Sequence, residues 1–438
     1  MVCPSCKSQL TKGFAFFQCQ ECFEKYPIVF ERVPVLVREP RKYLANNIIK
    51  YWKYSNSLKP QHVYSEEYKR ALQENVKLFE ELTEKLSEPI NFKDLRESVE
   101  SLEGSLPNHY SFYTGYLMRD WAGDQEGEDE ISVIKSSVKE GLLKQSRALV
   151  LGAGLGRIAC EISDLFSQIV AIDYEPNMPF FFEKLRTGGF TFADIHHDNS
   201  STESDKIRWI KFSPEHIKMQ NFDNVDYLIS DAREIPFENN YFDAVISVYF
   251  TDVLPMRPML REVRRVLRDG GKFVHFGPLE YHFSDVSRKY SFETFASILR
   301  ELNFTVNAHD RIELSHCKPY GGSAFEIFKN WKLYATKESE PSLSRESYLS
   351  PTDDINYTIT GAINGSVQTS IMVQVSGQDP IKIPEEMFDV MKCVEAGCSV
   401  LQLMARLEKN LQYENLDEEV ILLYIESLRS NGILKVNQ

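Results

Sequence analysis

Short apolar runs alternate with amphipathic stretches between positions 147 and 276. Ala148–Leu151 is apolar throughout and stops at a glycine, Ile169–Ile172 stops at Asp173, and Leu228–Ser230 stops at Asp231. Phe242–Val248 and Lys272–Phe276 are two further runs of the same kind. Such runs predict strands of a parallel sheet buried on both faces. Residues 157–166 and 258–268 carry apolar positions at helical spacing and predict helices, the second ended by Asp269-Gly270-Gly271. Alternating strands and helices predict an α/β fold, a Rossmann-like sheet with helices on both faces.

The flanks read differently. Residues 41–107 are polar, rich in Glu and Lys, and place Ala71, Leu72, Val76, Phe79, Leu82 and Leu86 at helical spacing, which predicts a cap of two or three helices. Tyr51-Trp52-Lys53-Tyr54 reads as a packing contact. The segment 187–224 reads as a polar insertion loop, with His196 and His197 inside it. Residues 338–354, rich in Ser, Pro and charge, read as a linker. Beyond it, 356–375 alternates like a strand pair around Asn364-Gly365. Helices are expected near 384–395, 399–410 and 417–431, then a short strand at 432–436. The expected organisation is therefore 1–40, a helical cap at 41–107, the sheet domain at 108–337, the linker at 338–354 and a last domain at 355–438.

Candidate chemistry gathers at the ends of the apolar runs. Gly152, Gly154 and Gly156 allow a tight turn and close approach of the backbone to a ligand. Sites for NAD, FAD and S-adenosylmethionine (SAM) all use such a turn. Asp173 falls near the spacing at which a carboxylate meets the two hydroxyls of a bound ribose. The Asp231 carboxylate is suited to an adenine amino group, and the Ala232 N–H to a ring nitrogen. The ordered series Asp231-Ala232, Phe242-Asp243-Ala244-Val245-Ile246-Ser247 and Leu260 to Phe273 resembles the class I SAM-dependent methyltransferases. The resemblance implies SAM as cofactor, bound at the C-terminal edge of the sheet.

Composition narrows the remaining classes. The chain has 438 residues, 42% of them hydrophobic, which is enough for two or three domains with real cores. No apolar run is long enough to span a membrane. The first residues do not read as a secretory leader, and a cytoplasmic location is expected. The net charge of −14 argues against bulk binding to nucleic acid.

Four of the eight cysteines lie in the first 22 residues, as Cys3-x-x-Cys6 and Cys19-x-x-Cys22. Two such knuckles supply four thiolates to a structural zinc ion with no open position, the alternative being a disulfide pair. So short a segment would draw much of its folding free energy from the metal. The stretch 1–38, with Tyr26-Pro27-Ile28-Val29 and Val33-Pro34-Val35-Leu36-Val37, looks like the small zinc-ribbon activator subunit of tRNA and release-factor methyltransferases, here fused in cis. The alternative is a plain structural ribbon docked on the catalytic domain.

A narrower resemblance covers roughly 108–337. Arg119-Asp120-Trp121 upstream of the glycine turn, Phe276 to Phe283 after the fifth run, and Tyr290-Ser291-x-Glu293 are similar to the carnosine N-methyltransferase family. The resemblance implies that Arg119 contacts SAM. It further implies that Asp252 orients a substrate imidazole and accepts its proton, and that His282 positions substrate or relays a proton. Tyr116 stands where the family has a glutamine. Phe328 falls close to a family active-site tyrosine, for which Tyr320 is a candidate substitute.

The expected function is N-methylation of a histidine imidazole or similar nitrogen in a small peptide or peptide segment. The last domain, by its helix–helix–helix–strand pattern, looks like a winged-helix module of the kind that holds precursor peptides for modifying enzymes. Its Glu-rich helices argue against DNA binding. This opens a second reading, a precursor-peptide methyltransferase, alongside a role for the module in packing or in forming a homodimer. An RNA or protein methyltransferase using the ribbon, and a non-catalytic adaptor, remain open as well.

Overall fold

The computed structural model describes residues 1–58, 65–90, 114–195, 200–202, 204–213, 222–320, 324–339, 348–352, 355–361, 369–375, 380–383, 385–394, 397–408 and 418–437. They form two compact units, 1–338 and 339–438.

The first unit opens with four short strands, β1 (Leu10–Lys12), β2 (Phe16–Cys19), β3 (Lys25–Val29) and β4 (Val33–Leu36). Helices α1 (Pro40–Ser57) and α2 (Glu66–Ser87) follow, then α3 (Thr114–Trp121) and α4 (Gln125–Glu140). The alternating part begins with β5 (Gln145–Leu151), α5 (Arg157–Glu161), β6 (Phe166–Asp173) and α6 (Asn177–Thr187). After a hairpin of β7 (Phe190–Ile195) and β8 (Ile207–Phe212) come β9 (Val225–Ser230), β10 (Phe242–Val248), α7 (Met256–Val266) and β11 (Leu267–Gly277). Helix α8 (Phe292–Glu301) and the long strands β12 (Phe304–His316) and β13 (Glu326–Lys337) complete the unit.

One sheet runs through it in the order β1-β2-β3-β4-β9-β6-β5-β10-β11-β13-β12. From β4 to β11 neighbouring strands are parallel, whereas β13 is antiparallel to both β11 and β12. The chain builds outward from β5 to β6 and β9 on one side, then returns to add β10 and β11 on the other. That reversal leaves a crevice at the C-terminal ends of the strands, where open α/β sheets bind ligands.

Alternation along each strand divides the core. Val150, Ile169, Ala171, Ile246 and Phe276 face the side covered by α1 to α4 and α6. Leu149, Leu151, Val170, Ile172, Val245 and Phe273 face α7 and α8, which bury Met259, Leu260, Val263, Phe295 and Leu299. Within the central strand Asp243 is 6% exposed, and it accepts the Ser146 and Arg147 N–H groups at 2.9 and 2.7 Å. Two otherwise orphaned donors at the start of β5 are thereby satisfied.

Several expected boundaries move. The helix expected at 157–166 ends at Glu161, because Phe166 is buried and pairs with Gln145 as the first residue of β6. Asp269-Gly270-Gly271 lies inside β11 instead of ending a helix at 268. Leu267 already pairs with Phe242, and the register then jumps to Lys272 opposite Ala244, leaving the glycines in a bulge with Gly270 at φ 73°. The expected insertion loop carries an antiparallel hairpin instead, β7–β8, which buries Phe192, Ile210 and Phe212. Its His196 and His197 lie outside the described residues.

In the second unit, β14 (Tyr348–Pro351) occupies part of the expected linker and pairs with Cys398–Ser399 and with Leu434–Asn437. A three-stranded antiparallel sheet follows, β15 (Ile355–Gly361), β16 (Thr369–Val375) and the unexpected β17 (Ile381–Ile383). The Asn364-Gly365 turn lies outside the described residues. Three helices, α9 (Glu385–Cys393), α10 (Val400–Glu408) and α11 (Glu418–Ser430), lie close to their expected places. The sheet of β18 (Cys398–Ser399), β14 and β19 (Leu434–Asn437) completes the unit. Leu349, Val373, Phe388, Leu403, Ile425 and Leu428 form its separate core.

Candidate active site

The crevice is built from the ends of neighbouring strands. Beyond β5 the backbone enters the left-handed region at Gly152, Gly154 and Gly156, with φ of 54°, 53° and 75°. Two of these glycines are closed in by packing. A Cβ on Gly152 would stand 2.1 Å from the Phe250 ring, and one on Gly156 2.4 Å from Phe182. A Cβ on Gly154 would meet nothing within 4 Å, so this glycine faces open space.

Asp173 caps β6 and accepts the Gly154 and Glu175 N–H groups, both at 3.0 Å. It thereby pins the glycine turn to the next strand. Burial pushes its carboxyl up to about 6, against the pull of those two donors. Tyr227 donates to the Gly154 carbonyl at 2.5 Å. At the end of β9, Asp231 takes the Arg233 N–H at 2.8 Å and the Arg233 guanidinium at 2.6 Å, while Ala232 is buried beside it.

Arg119, on α3, lies at the end of β10, with its guanidinium over the Tyr249 ring at 5.7 Å. Its Nε donates to Asp120 at 2.7 Å, and its Nη1 lies 3.6 Å from Glu130. That Nη1 is buried and has no hydrogen-bond partner. A buried cationic donor lacking an acceptor, an open glycine and carboxylates at the ends of two neighbouring strands fit SAM, which brings a carboxylate, a ribose and an adenine.

On the other side of the switch point, Asp252 follows β10 and is 2% exposed. Its Oδ2 accepts the Glu280 N–H at 2.7 Å, which ties the loop after β10 to the loop after β11. Burial pushes its carboxyl up to about 7. His282 is exposed and lies two residues beyond Glu280, on the segment that Asp252 anchors. Beneath this loop Ser247, Thr251 and His275 form a buried chain with two 2.8 Å links. Burial drives His275 down to about 4, so it stays neutral.

Other residues enter that were not singled out from the sequence. Tyr249 holds a left-handed φ of 53° at the end of β10, a strained conformation for an aromatic residue. His316, at the end of β12, packs against Tyr249 and stacks on Phe328, each at 4.4 Å between ring centroids. Glu130 lies 3.0 Å from His316 Nδ1 and accepts the Cys317 N–H at 2.8 Å. A non-glycine residue in a left-handed turn leaves no mark in sequence, and Glu130 is masked by the acidic run around it. Phe328 thus lines this cluster, whereas Tyr320 is exposed, with the Arg208 guanidinium over its ring at 4.4 Å.

Apart from the crevice, the ligand atoms of Cys3, Cys6, Cys19 and Cys22 all lie within 4.8 Å of one another. Cys3–Cys22 and Cys6–Cys19 sulfur separations are 3.7 and 3.4 Å, and all four are free thiols. Four converging thiols are the donor set that a tetrahedral metal site requires. Val2 donates to the Pro236 carbonyl at 3.0 Å, and β4 pairs Val35 with Ile229 and Leu36 with Ser230. The four-cysteine segment is thus part of the edge of the sheet beside Asp231.

The family model for carnosine N-methyltransferase matches residues 111–332, just over half of the chain. The chain is 26% identical to the carnosine N-methyltransferase of Rattus norvegicus over 224 residues, 45% of this chain and 55% of the rat protein. It is also 26% identical to the Drosophila melanogaster carnosine N-methyltransferase unmet, over 43% of this chain and 46% of the fly protein. It spans about half the length of the curated relatives it matches. A solved structure from Pyrococcus horikoshii is similar at 18% identity and a TM-score of 0.35, covering 52% of this chain and 100% of that one. The matched region holds the glycine turn, Asp173, Asp231 and Asp252, and over it the chain belongs to the carnosine N-methyltransferase family.

Proposed function

We propose that this protein transfers the methyl group of SAM to a nitrogen of a histidine imidazole, or a similar nitrogen, in a small peptide or peptide segment. The observation that carries this reading is Asp252, a buried carboxylate after β10, tied to the loop that bears His282, in a chain of this family. SAM, when bound, supplies an activated methyl on a sulfonium. The task of the protein is to hold the nucleophile in line and keep its lone pair free.

Gly154 and the Asp173-pinned turn shape the cofactor cleft, and Arg119 Nη1 holds the cofactor carboxylate. Asp231 and Ala232 meet the adenine, with Arg233 holding the acid in position. Asp252 accepts the N–H of the substrate ring, which fixes the tautomer and leaves the other nitrogen free to attack. It then takes the proton from the methylated ring. His282 positions the substrate. Cys3, Cys6, Cys19 and Cys22 hold a structural zinc ion that stiffens the edge of the sheet, as an activator ribbon fused in cis.

The test is methyl-labelled SAM with a panel of histidine dipeptides and a cell extract, the label being located by mass spectrometry. Label on an imidazole, lost in Asp252→Ala, supports the reading. Absence of label despite measurable SAM binding sinks the imidazole assignment. The separate second unit, a three-stranded sheet followed by three helices, favours a second reading as a recruiter of a longer precursor peptide. Label confined to such a peptide selects that reading.

A further inference from the structure

Glu130 and His316 have no part in the chemistry proposed above, yet they form an ordered pair at the C-terminal edge of the sheet. Glu130 Oε1 lies 3.0 Å from His316 Nδ1. Burial pushes the Glu130 carboxyl up, but hydrogen bonding to His316 and the nearby Arg119 charge outweigh burial and leave it below its ordinary range. An ionised carboxylate only accepts, so Nδ1 carries the hydrogen. With Nδ1 carrying that hydrogen, Nε2 is the ring nitrogen left to accept, and it faces the Cys317 sulfur at 3.6 Å. Burial pushes the Cys317 thiol up to about 12, so it remains a weak S–H donor that a stronger donor displaces.

Packing fixes the ring in this pose. Phe328 stacks on it at 18°, Tyr249 leans on it, and Tyr116 stands edge-on at 5.8 Å. The Tyr249 hydroxyl, beside the same ring, is buried without a hydrogen-bond partner. Behind His316, Arg119 pairs with both Asp120 and Glu130, one cation against two carboxylates. An acceptor nitrogen, aromatic faces, an unpartnered hydroxyl and one negative charge in excess are together complementary to a positively charged N–H donor.

We propose that Glu130 and His316 form a subsite for an amino group of the substrate. His316 Nε2 accepts an ammonium N–H, the Tyr249 hydroxyl accepts a second, and Glu130 fixes the imidazole and offsets the incoming charge. His316 acts here in recognition and undergoes no chemistry. This inference rests on the reading of the substrate as a small peptide, and it deepens that reading by requiring a free amino end.

The test compares glycyl-histidine with its N-acetylated form on the full chain. Wild type is expected to prefer the free amine at least tenfold in kcat/KM. His316→Leu is expected to bring that ratio to within about twofold of one. His316→Gln, which keeps a side-chain acceptor, should restore most of the preference, and Glu130→Gln should fall between. Equal use of both peptides by wild type, or an undiminished preference in His316→Leu, overturns the subsite.

The same peptides are titrated by calorimetry into protein loaded with S-adenosylhomocysteine. If neither peptide is methylated, but the free amine binds and His316→Leu abolishes that binding, the subsite stands and the imidazole reading fails. If neither peptide binds, the subsite fails.

Discussion

Asp252 carries opposite demands at one position. Its carboxyl is pushed up to about 7 by burial, whereas an unfolded aspartate titrates near 3.8. Below about pH 4 both states are protonated. Between about 4 and 7 the native carboxyl keeps a proton that the unfolded chain has released, so stability falls as pH rises through that window. The loss is on the order of 2–4 kcal/mol above pH 7. Asp252→Asn is therefore expected to raise the melting temperature at pH 8 by several degrees while lowering kcat/KM at least a hundredfold. Wild-type kcat/KM should rise with pH around a midpoint near 7. Thermal scans and a pH–rate profile check this, and a flat profile from pH 5.5 to 8 would show that Asp252 is not the acceptor. At Gly154 an alanine meets no atom but must adopt φ 53°, a strain of about 1–2 kcal/mol, and its methyl projects into the cofactor cleft. Gly154→Ala should weaken SAM binding more than tenfold by calorimetry, with only a small drop in melting temperature. The candidate cofactor positions on the strands are legible because each ends an apolar run, whereas Arg119, on α3, is marked only by the family resemblance. Tyr249, Glu130 and His316 are not legible, since they meet only when β10, α4 and β12 are brought together.

At the scale of elements, periodicity located the strands better than the ends of helices. β10 is apolar throughout and buried throughout, so its run marks its limits. The amphipathic pattern of α7 carries on past Val266, but Leu267 is claimed by β11, a contact with Phe242 that no local pattern reports. The β7–β8 hairpin escaped for a related reason, because Thr191, Asp194, Arg208 and Lys211 dilute the pattern of Phe192, Ile210 and Phe212. β4 shows best how a local motif acquires a distant role. Its pairing with β9 links the four-cysteine segment to the loop bearing Asp231, and Arg38 extends the link with a 2.6 Å ion pair to Glu234. On the zinc proposal, a chelator should therefore lower the melting temperature and weaken SAM binding together. Scanning fluorimetry and calorimetry on the same samples measure both, and unchanged values would count against a structural metal at the four cysteines.

At the scale of the molecule, each of the two units has its own core, and the first holds every candidate cofactor and substrate residue named above. A chain ending at Glu338 is expected to fold and to bind SAM within about twofold of the full chain. Dipeptide turnover should survive in it, and turnover of a longer recruited peptide should be lost. Failure of the shortened chain to fold would show that the first core depends on the second unit. The Ser- and Pro-rich stretch after 338 reads as a linker in sequence, and the two units divide at 338. It contains β14, which no local pattern marks, because its partners lie far along the chain, at Cys398–Ser399 and Leu434–Asn437.

The parallel pairing of β4 with β9 also sets a timetable for synthesis. Val35 leaves the ribosome well before its partner Ile229, roughly 10–40 s earlier at ordinary elongation rates. Through that interval β4 presents an open, apolar strand edge of the kind that seeds aggregation. Cys3 to Cys22 are close in sequence, so a metal ion can close that cluster long before β9 exists. An early metal would hold the unpaired edge in a folded knuckle, and zinc starvation should then appear first as loss of nascent chains, before any loss of activity in finished protein.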